Sequence, residues 1–180
     1  MPRSGQPQRH AFVDESRRGA VYLLTAVLIP SRDLRQVTRA VRDGLPKGRQ
    51  RTHFTDEGDA ARNRILSRYC SLTPEVVIVT AQCGPDEEGA RQLCLRALLG
   101  ELARRRVAVL VLDTRGERDH HDRETIAAGL KTMTADLHYS HRGSKDELLL
   151  GLPDAFGWCY GIGRNWRKRV APFIAAEIHA

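Results

Sequence analysis

The sequence predicts an α/β domain built on a mixed sheet, and three observations carry that. Two apolar segments, residues 10–14 and 20–29, are joined by the short polar connector Glu15-Ser16-Arg17-Arg18-Gly19, which reads as an antiparallel hairpin. Helical and β-branched segments then alternate along the chain. Residues 107–112 (Val-Ala-Val-Leu-Val-Leu) form an unbroken apolar run, the pattern of a strand buried on both faces in a parallel arrangement.

The elements follow in order. Residues 1–9 are polar and read as a disordered tail, leaving residues 10–180 as one domain. Pro30 ends the second strand, and Ser31 is placed to cap a helix running to about Gly44, with Asp33 in its first turn. Leu34, Val37, Val41 and Leu45 form the apolar stripe of that helix, and Arg32, Arg35, Arg39 and Arg42 recur on a separate face. Residues 45–51 form a loop, and Thr52-His53-Phe54 a short extended entry. Residues 56–71 are helical, with Ile65, Leu66 and Tyr69 inward. Residues 75–81 are a β-branched strand. Residues 86–106 form a long helix with Leu93, Ala97, Leu98 and Leu102 at helical spacing. After the 107–112 strand come a helix over 123–133, a last strand over 136–140, and a mostly helical stretch over 144–164. A basic tail follows.

The chain has 180 residues, of which 41% are hydrophobic. That is enough to bury a sizeable core without staples. The longest apolar run, residues 20–30, is too short to span a bilayer, which takes about 20 residues. No apolar segment follows the polar N-terminus as a secretory signal requires. Cys70, Cys83, Cys94 and Cys159 are scattered without a C-x-x-C pair, so neither a zinc ribbon nor a disulfide framework is expected, and a cytoplasmic setting suits them. Lys+Arg outnumber Asp+Glu 29 to 22, and the only lysines are Lys47, Lys131, Lys145 and Lys168. Arginine binds phosphate bidentately and stacks on bases, so nucleic acid is the expected partner.

Three acids stand out by position. Asp14 ends the first strand, Asp113 ends the buried strand, and Asp154 lies in the first turn of the last helix. Ligand sites in open α/β sheets gather at the carboxyl ends of strands. Alternation puts Asp14 on the face of Phe12, and Asp113 on that of Val107, Val109 and Val111. A carboxylate following such inward positions is costly unless paired or bound to a cation. Asp154, Gly157 and Gly161, spaced i, i+3, i+7, share a helix face on which two glycines permit close approach to the sheet. Three converging carboxylates suit Mg²⁺ or Mn²⁺, and two such ions about 4 Å apart can activate water against a phosphodiester.

The segments Phe12-Val13-Asp14-Glu15-Ser16, Tyr22-Leu23-Leu24-Thr25-Ala26-Val27, Thr52-His53-Phe54, Val109-Leu110-Val111-Leu112-Asp113 and residues 146–155 (Asp-Glu-Leu-Leu-Leu-Gly-Leu-Pro-Asp-Ala), in that order, resemble the family called domain of unknown function 3800. The resemblance covers residues 10–164. It implies a ribonuclease-H-like mixed sheet led by the antiparallel hairpin, with helices on both faces, and metal-dependent nuclease chemistry. It places Asp14, Asp113 and Asp154 on the metal-ligand positions and His53 among the catalytic residues. Glu15 also matches, but a regular strand points it away from Asp14, so it ranks behind the three. The chain departs from the family after Ser16, where Arg17-Arg18 replaces a glycine.

Other signals remain. Ser144-Lys145-Asp146-Glu147 has capping-box spacing, with Lys145 as a second-tier substrate contact. Asp119-His120-His121-Asp122 imitates the signature of Asp-His-His phosphoesterases, but no Asp-x-Asp partner motif precedes it, and it reads better as a helix start. The α-helical arginine stripe and Arg164, Trp166, Arg167, Lys168 and Arg169 are candidate nucleic-acid surfaces, with Trp166 available to stack on a base. The reading that results is a metal-dependent phosphodiester hydrolase acting on DNA or RNA. Its alternatives are a nucleic-acid-binding module with an unused site and an Asp-His-His phosphoesterase.

Overall fold

A computed structural model describes residues 8–133, 136–143 and 145–180. Strands β1 (Arg9–Arg18), β2 (Val21–Pro30), β3 (Glu75–Gln82), β4 (Val107–Asp113), β5 (His138–Arg142) and β6 (Ile174–His179) form one sheet in the order β5-β4-β1-β2-β3-β6. β2 runs antiparallel to β1 and β3; the other pairings are parallel. The carboxyl ends of β1, β3, β4, β5 and β6 therefore share one edge of the sheet.

The hairpin is longer and tighter than the sequence suggests. Glu15 to Arg18 continue β1 instead of forming a connector, and pairing runs out to Arg18 opposite Val21. Only Gly19 and Ala20 lie outside the ladder, with Gly19 at φ +57°. A positive φ at the first of two loop residues suits the strand twist, and glycine adopts it without strain. Arg9, expected in a tail, opens β1; residues 1–7 lie outside the described residues.

Helices cover both faces. On one lie α3 (Glu87–Arg104) and α4 (Asp119–Thr132), whose Leu95, Leu98, Leu102 and Ile126 pack on Ala11, Val13, Leu24 and Val79. On the other lie α1 (Leu34–Asp43), α2 (Asp59–Ser71), α5 (Gly151–Ile162) and α6 (Arg164–Val170), meeting Phe12, Leu23, Val27 and Ile78. Covered twice, β2 reads as a continuous apolar run although both its neighbours are antiparallel. Among the described residues, no helix is long and apolar enough to cross a membrane.

Several local expectations change. Ser31 does not cap a helix; its hydroxyl donates to the Gln8 carbonyl (2.9 Å), and α1 starts three residues later after a 3₁₀ turn. Asp86 does cap α3, accepting from the Gly89 N–H at 2.8 Å. Leu93 is 47% exposed, and the inward stripe of α3 runs instead through Ala90, Arg91, Cys94, Leu95, Leu98 and Leu102. A register shift between Arg9 and His10 where β1 meets β4 turns Val107 into the α3 side, whereas Val109 and Val111 pack on the other. α4 begins at Asp119, not Arg123. The basic tail holds α6 and the edge strand β6, whose exposure alternates residue by residue. Ser144 lies outside the described residues; Glu147 caps a 3₁₀ turn ahead of α5 by accepting from the Leu149 N–H at 3.1 Å.

Candidate active site

Strand pairing fixes the first two carboxylates. Val13 pairs with Leu112 where β1 runs parallel to β4, so Asp14 and Asp113 end this stretch side by side at the carboxyl edge. α5 supplies the third. Its glycine face lies against the hairpin: a methyl on Gly157 would sit 2.6 Å from Thr25 Oγ1, and one on Gly161 3.1 Å from Arg18. One turn before Gly157, that face carries Asp154, with Pro153 beside it in the first turn. Replacing Gly157 with Ala is expected to cost about 1–3 kcal/mol by overpacking, read as a lower urea midpoint, and Thr25→Ala is expected to restore part of it.

Asp14, Asp113 and Asp154 line one small cavity with Arg51, and the same three border an adjoining cleft of about 220 Å³ that also meets Glu15, Ser16, Arg18, Thr25 and His53. Asp14 accepts a hydrogen bond from the Glu15 N–H (2.8 Å), and Asp154 accepts one from the Phe54 N–H (2.8 Å). Burial, and then the charges of Asp154, Glu15 and Asp113, push the Asp14 carboxyl well above the ordinary carboxylate range. Burial also raises Asp113 and Asp154, against the pull of Arg51 and His53. The three share too little positive charge among the protein's own groups. This is the condition under which a carboxylate cluster gains most from a divalent cation.

These shifts fix a pH dependence. An acid whose pKa rises on folding binds protons more tightly in the native state, so stability falls as pH climbs from the ordinary pKa through the raised one. In chelator, the melting temperature is expected to drop as pH rises from about 4 towards neutrality, and Asp14→Asn is expected to flatten that slope and raise the neutral-pH midpoint. A midpoint that climbs over this range in the wild type would contradict the assignment.

His53 is exposed and its Nδ1 lies 3.8 Å from Asp154 Oδ2. Arg51, which no sequence signal marked because it lies in an irregular loop, contacts the His53 ring (3.1 Å to Nδ1). Lys145 is exposed in a turn and does not line the cleft. Glu15 points to the other face, as alternation requires. There Arg91, 1% exposed, donates to Glu15 Oε2 (2.6 Å), Tyr22 Oη (3.1 Å) and both oxygens of Asp122 (2.7 Å each).

That network also decides the fate of Asp119-His120-His121-Asp122. Asp119, Asp122 and His141 offer ligand atoms within 4.8 Å of one another, a spacing that could hold a metal. Yet Asp122 Oδ1 accepts from Arg91 and Arg115 (3.0 Å), Oδ2 faces Arg91 and His141 Nε2 (3.0 Å), and Asp119 accepts from the Arg115 N–H (2.7 Å) and the Thr114 hydroxyl. Arg91 and its neighbours hold the Asp122 carboxyl far below the usual range despite burial. A metal here would have to displace two guanidinium groups, and the adjacent His120 and His121 contribute nothing to the group. Two of the four motif residues thus enter a metal-sized group, but their carboxylates are already taken up by Arg91, Arg115, Thr114 and His141.

The basic candidates divide. Arg35, Arg39 and Arg42 are exposed along α1, and Arg32 is exposed in the 3₁₀ turn before it. Arg164 and Lys168 are exposed on α6. Trp166 is not free to stack on a base: it packs edge-on against Trp158 (5.5 Å) and Phe54 (6.2 Å), and Arg169 covers its ring at 5.2 Å. Arg167 lies over the Tyr160 ring (3.9 Å) and donates to its hydroxyl (2.8 Å).

No family model and no curated protein matches the chain. The structure is similar to that of a chain in the PCNA:RNase HII complex from Archaeoglobus fulgidus, at TM-score 0.55 and 11% identity, over 91% of this chain and 77% of that one. At that identity the likeness speaks for the fold. A hairpin-led mixed sheet, helices on both faces and near-complete overlap with this neighbour give the chain a ribonuclease-H-like fold.

Proposed function

We propose that the protein is a divalent-metal-dependent nuclease that hydrolyses phosphodiester bonds at the cleft formed by Asp14, Asp113 and Asp154. The observation that carries this is the meeting of three partly buried carboxylates from β1, β4 and α5, each with its pKa raised, in one cleft of a ribonuclease-H-like fold. Asp14, Asp113 and Asp154 would hold Mg²⁺ or Mn²⁺. A bound ion would supply positive charge to offset theirs and Lewis acidity towards a phosphate and a water. The Phe54 N–H fixes the Asp154 carboxylate, and the Glu15 N–H fixes that of Asp14. Arg51 and His53, at the rim of the cleft, bear on a phosphate approaching it. Arg32, Arg35, Arg39 and Arg42 supply positive charge along α1 for the rest of the strand.

The test is a panel of end-labelled single-stranded and duplex DNA, RNA, RNA–DNA hybrid and branched junctions, incubated with Mg²⁺, Mn²⁺ or EDTA. Cleavage of at least one substrate, dependent on the metal and lost in Asp14→Asn and Asp154→Asn, is expected. Binding without cleavage anywhere in the panel would favour the non-catalytic binding module.

A further inference from the structure

The extended segment Thr52-His53-Phe54 holds Arg51 beside the carboxylates. Thr52 and Phe54 are buried, Thr52 with its hydroxyl 3.5 Å from Tyr69 Oη and Phe54 against Trp158 and Trp166. His53 between them is extended (φ −99°, ψ 110°), so Arg51 and His53 fall on the outer side by alternation. The Phe54 N–H ties the segment to Asp154. At the start of α5, a methyl on Gly151 would lie 3.2 Å from Tyr69 Oη and 3.7 Å from Thr52 Oγ1, so the helix packs closely here. The backbone around His53 is thus held in place, while the Arg51 side chain keeps its own rotatable bonds.

Arg51 closes one side of the site. With Thr52, Leu150, Gly151 and the three carboxylates it encloses about 10 Å³, room for at most one water. The cleft of about 220 Å³ opens from the same carboxylates on another side. The Arg51 guanidinium rests on the His53 ring, 3.1 Å from Nδ1, and His53 lines that cleft. Its charge acts on the acids through space. Burial raises the Asp113 carboxyl, and Arg51 is the strongest influence against that rise; at Asp154 burial is opposed by the Phe54 N–H, by His53 and then by Arg51. The nearby arginines are committed elsewhere: Arg49 to Glu57, and Arg62 to Asp59 and the Phe54 and Thr55 carbonyls.

We propose that Arg51 exchanges partners on metal loading. It offsets the charge of Asp113 and Asp154 while no divalent cation is bound, and it binds a nucleic-acid phosphate at the His53 rim once one is. This rests on the nuclease reading of the same cleft. When the carboxylates hold a divalent cation, Arg51 loses their attraction and meets a like charge. Rotation of its side chain then suffices to present a guanidinium at the cleft, where it can grip a phosphate with two parallel hydrogen bonds. Metal and nucleic acid therefore strengthen each other's binding through this one side chain.

The test measures the two ligands separately. Mn²⁺ binding is read without nucleic acid, from the electron paramagnetic resonance signal of the free ion. Binding of labelled 20-nucleotide DNA and RNA strands and duplexes is read by fluorescence anisotropy in Ca²⁺ at several salt concentrations. Arg51→Gln is expected to bind Mn²⁺ about three- to tenfold more tightly than wild type, because a like charge has gone. It is expected to bind nucleic acid about three- to tenfold more weakly, with the slope of log affinity against log salt reduced by about one. A merely structural role would not move the two affinities in opposite directions. Arg51→Lys keeps the charge but not the fork, and is expected to restore the wild-type Mn²⁺ affinity and only part of the nucleic-acid affinity. Arg96→Gln, which removes an exposed charge from α3, is expected to leave Mn²⁺ affinity unchanged. If the wild type binds Mn²⁺ but Arg51→Gln binds it no more tightly, or if nucleic-acid affinity is unchanged in Arg51→Gln, the partner exchange is wrong and the metal site stands. A wild type that binds no Mn²⁺ would overturn the metal-dependent reading and this proposal with it.

Discussion

Asp113→Asn is expected to fold, to lose the stabilisation that Mn²⁺ gives the wild type, and to lose more than about 100-fold in nuclease activity. The magnitude is set by what metal sites lose on far milder changes: removing a group that merely orients a ligand costs about 10–100-fold. Metal at 100 times its dissociation constant stabilises the native state by about 2.7 kcal/mol. For a domain of this size that is a rise of roughly 5–10 °C in midpoint. Asn keeps the shape of Asp but offers a neutral oxygen, so the fold is spared. Because Asp113 carries a raised pKa, the variant is also expected to match or exceed the wild type in stability when chelator is present. A differential melt of both proteins in EDTA and in Mn²⁺ reads both effects at once. An Mn²⁺ shift that survives in Asp113→Asn would remove this carboxylate from the metal site. Absence of any shift in the wild type would remove the preformed site altogether, and with it the support for metal-dependent cleavage at this cleft.

Arg91→Ala is expected to be the most destabilising single change on the other side of the sheet. Arg91 is the hub through which Glu15 on β1, Tyr22 on β2 and Asp122 on α4 are joined to α3. Removing it takes from Asp122, itself 1% exposed, its two-pronged partner, leaving Arg115 and His141, and takes from Glu15 its hydrogen-bonded cation. Breaking a buried pair from one side costs about 3–5 kcal/mol, or a fall of roughly 6–20 °C in midpoint here. The pairing also makes the loss pH-dependent. Asp122 has its pKa lowered on folding, so its contribution is present above the ordinary carboxylate pKa and fades as pH falls through the lowered one. Arg91→Ala is therefore expected to lose most at neutral pH and to converge on the wild type in acid. A melting series from pH 7 down to pH 2 checks this, with the convergence expected below about pH 4; a deficit that stays constant down to pH 2 would mean that packing, not charge, carries the effect. Because Glu15 follows Asp14 directly, the variant is also expected to weaken Mn²⁺ binding, and Arg91→Lys, which keeps the charge but loses the two-pronged grip on Asp122, to fall between.

The parts of the fold that depend on local pattern were legible in the sequence. Alternation in β1, the apolar runs of β2 and β4 and the helical stripes of α1 and α2 are each written within a few residues, and hydrophobic period specifies them. The placement of Asp113 at the end of β4 and of Asp154 in the first turn of α5 was legible for the same reason, and so was the close approach of α5 through Gly157 and Gly161; Asp14, read as a strand end, lies in mid-strand, where the pairing with β4 stops. Where a reading failed, a contact from far along the chain had won. Ser31 gave up its helix to bond Gln8, Trp166 left the surface for Phe54 and Trp158, and a bulge opposite β1 turned Val107 to the other core. β6 (Ile-Ala-Ala-Glu-Ile-His) hid behind a basic stretch because an edge strand needs only every second residue inward.

The candidate site divides along the same line. The sequence by itself determined that Asp113 closes an apolar strand and that Asp154 opens a helix, since that is a property of neighbours in the chain. Only the tertiary structure decided which of them share a cleft and which are neutralised. Asp14, Asp113 and Asp154 come together through a strand pairing and a helix crossing, whereas Asp122, in the more eye-catching motif, is consumed by Arg91 and Arg115. Arg51 carries no signal of its own, because it lies in an irregular loop that only the fold brings beside the carboxylates. Charge and hydrogen bonding act across space at a few ångströms, so the state of a polar group depends on partners that chain order does not reveal.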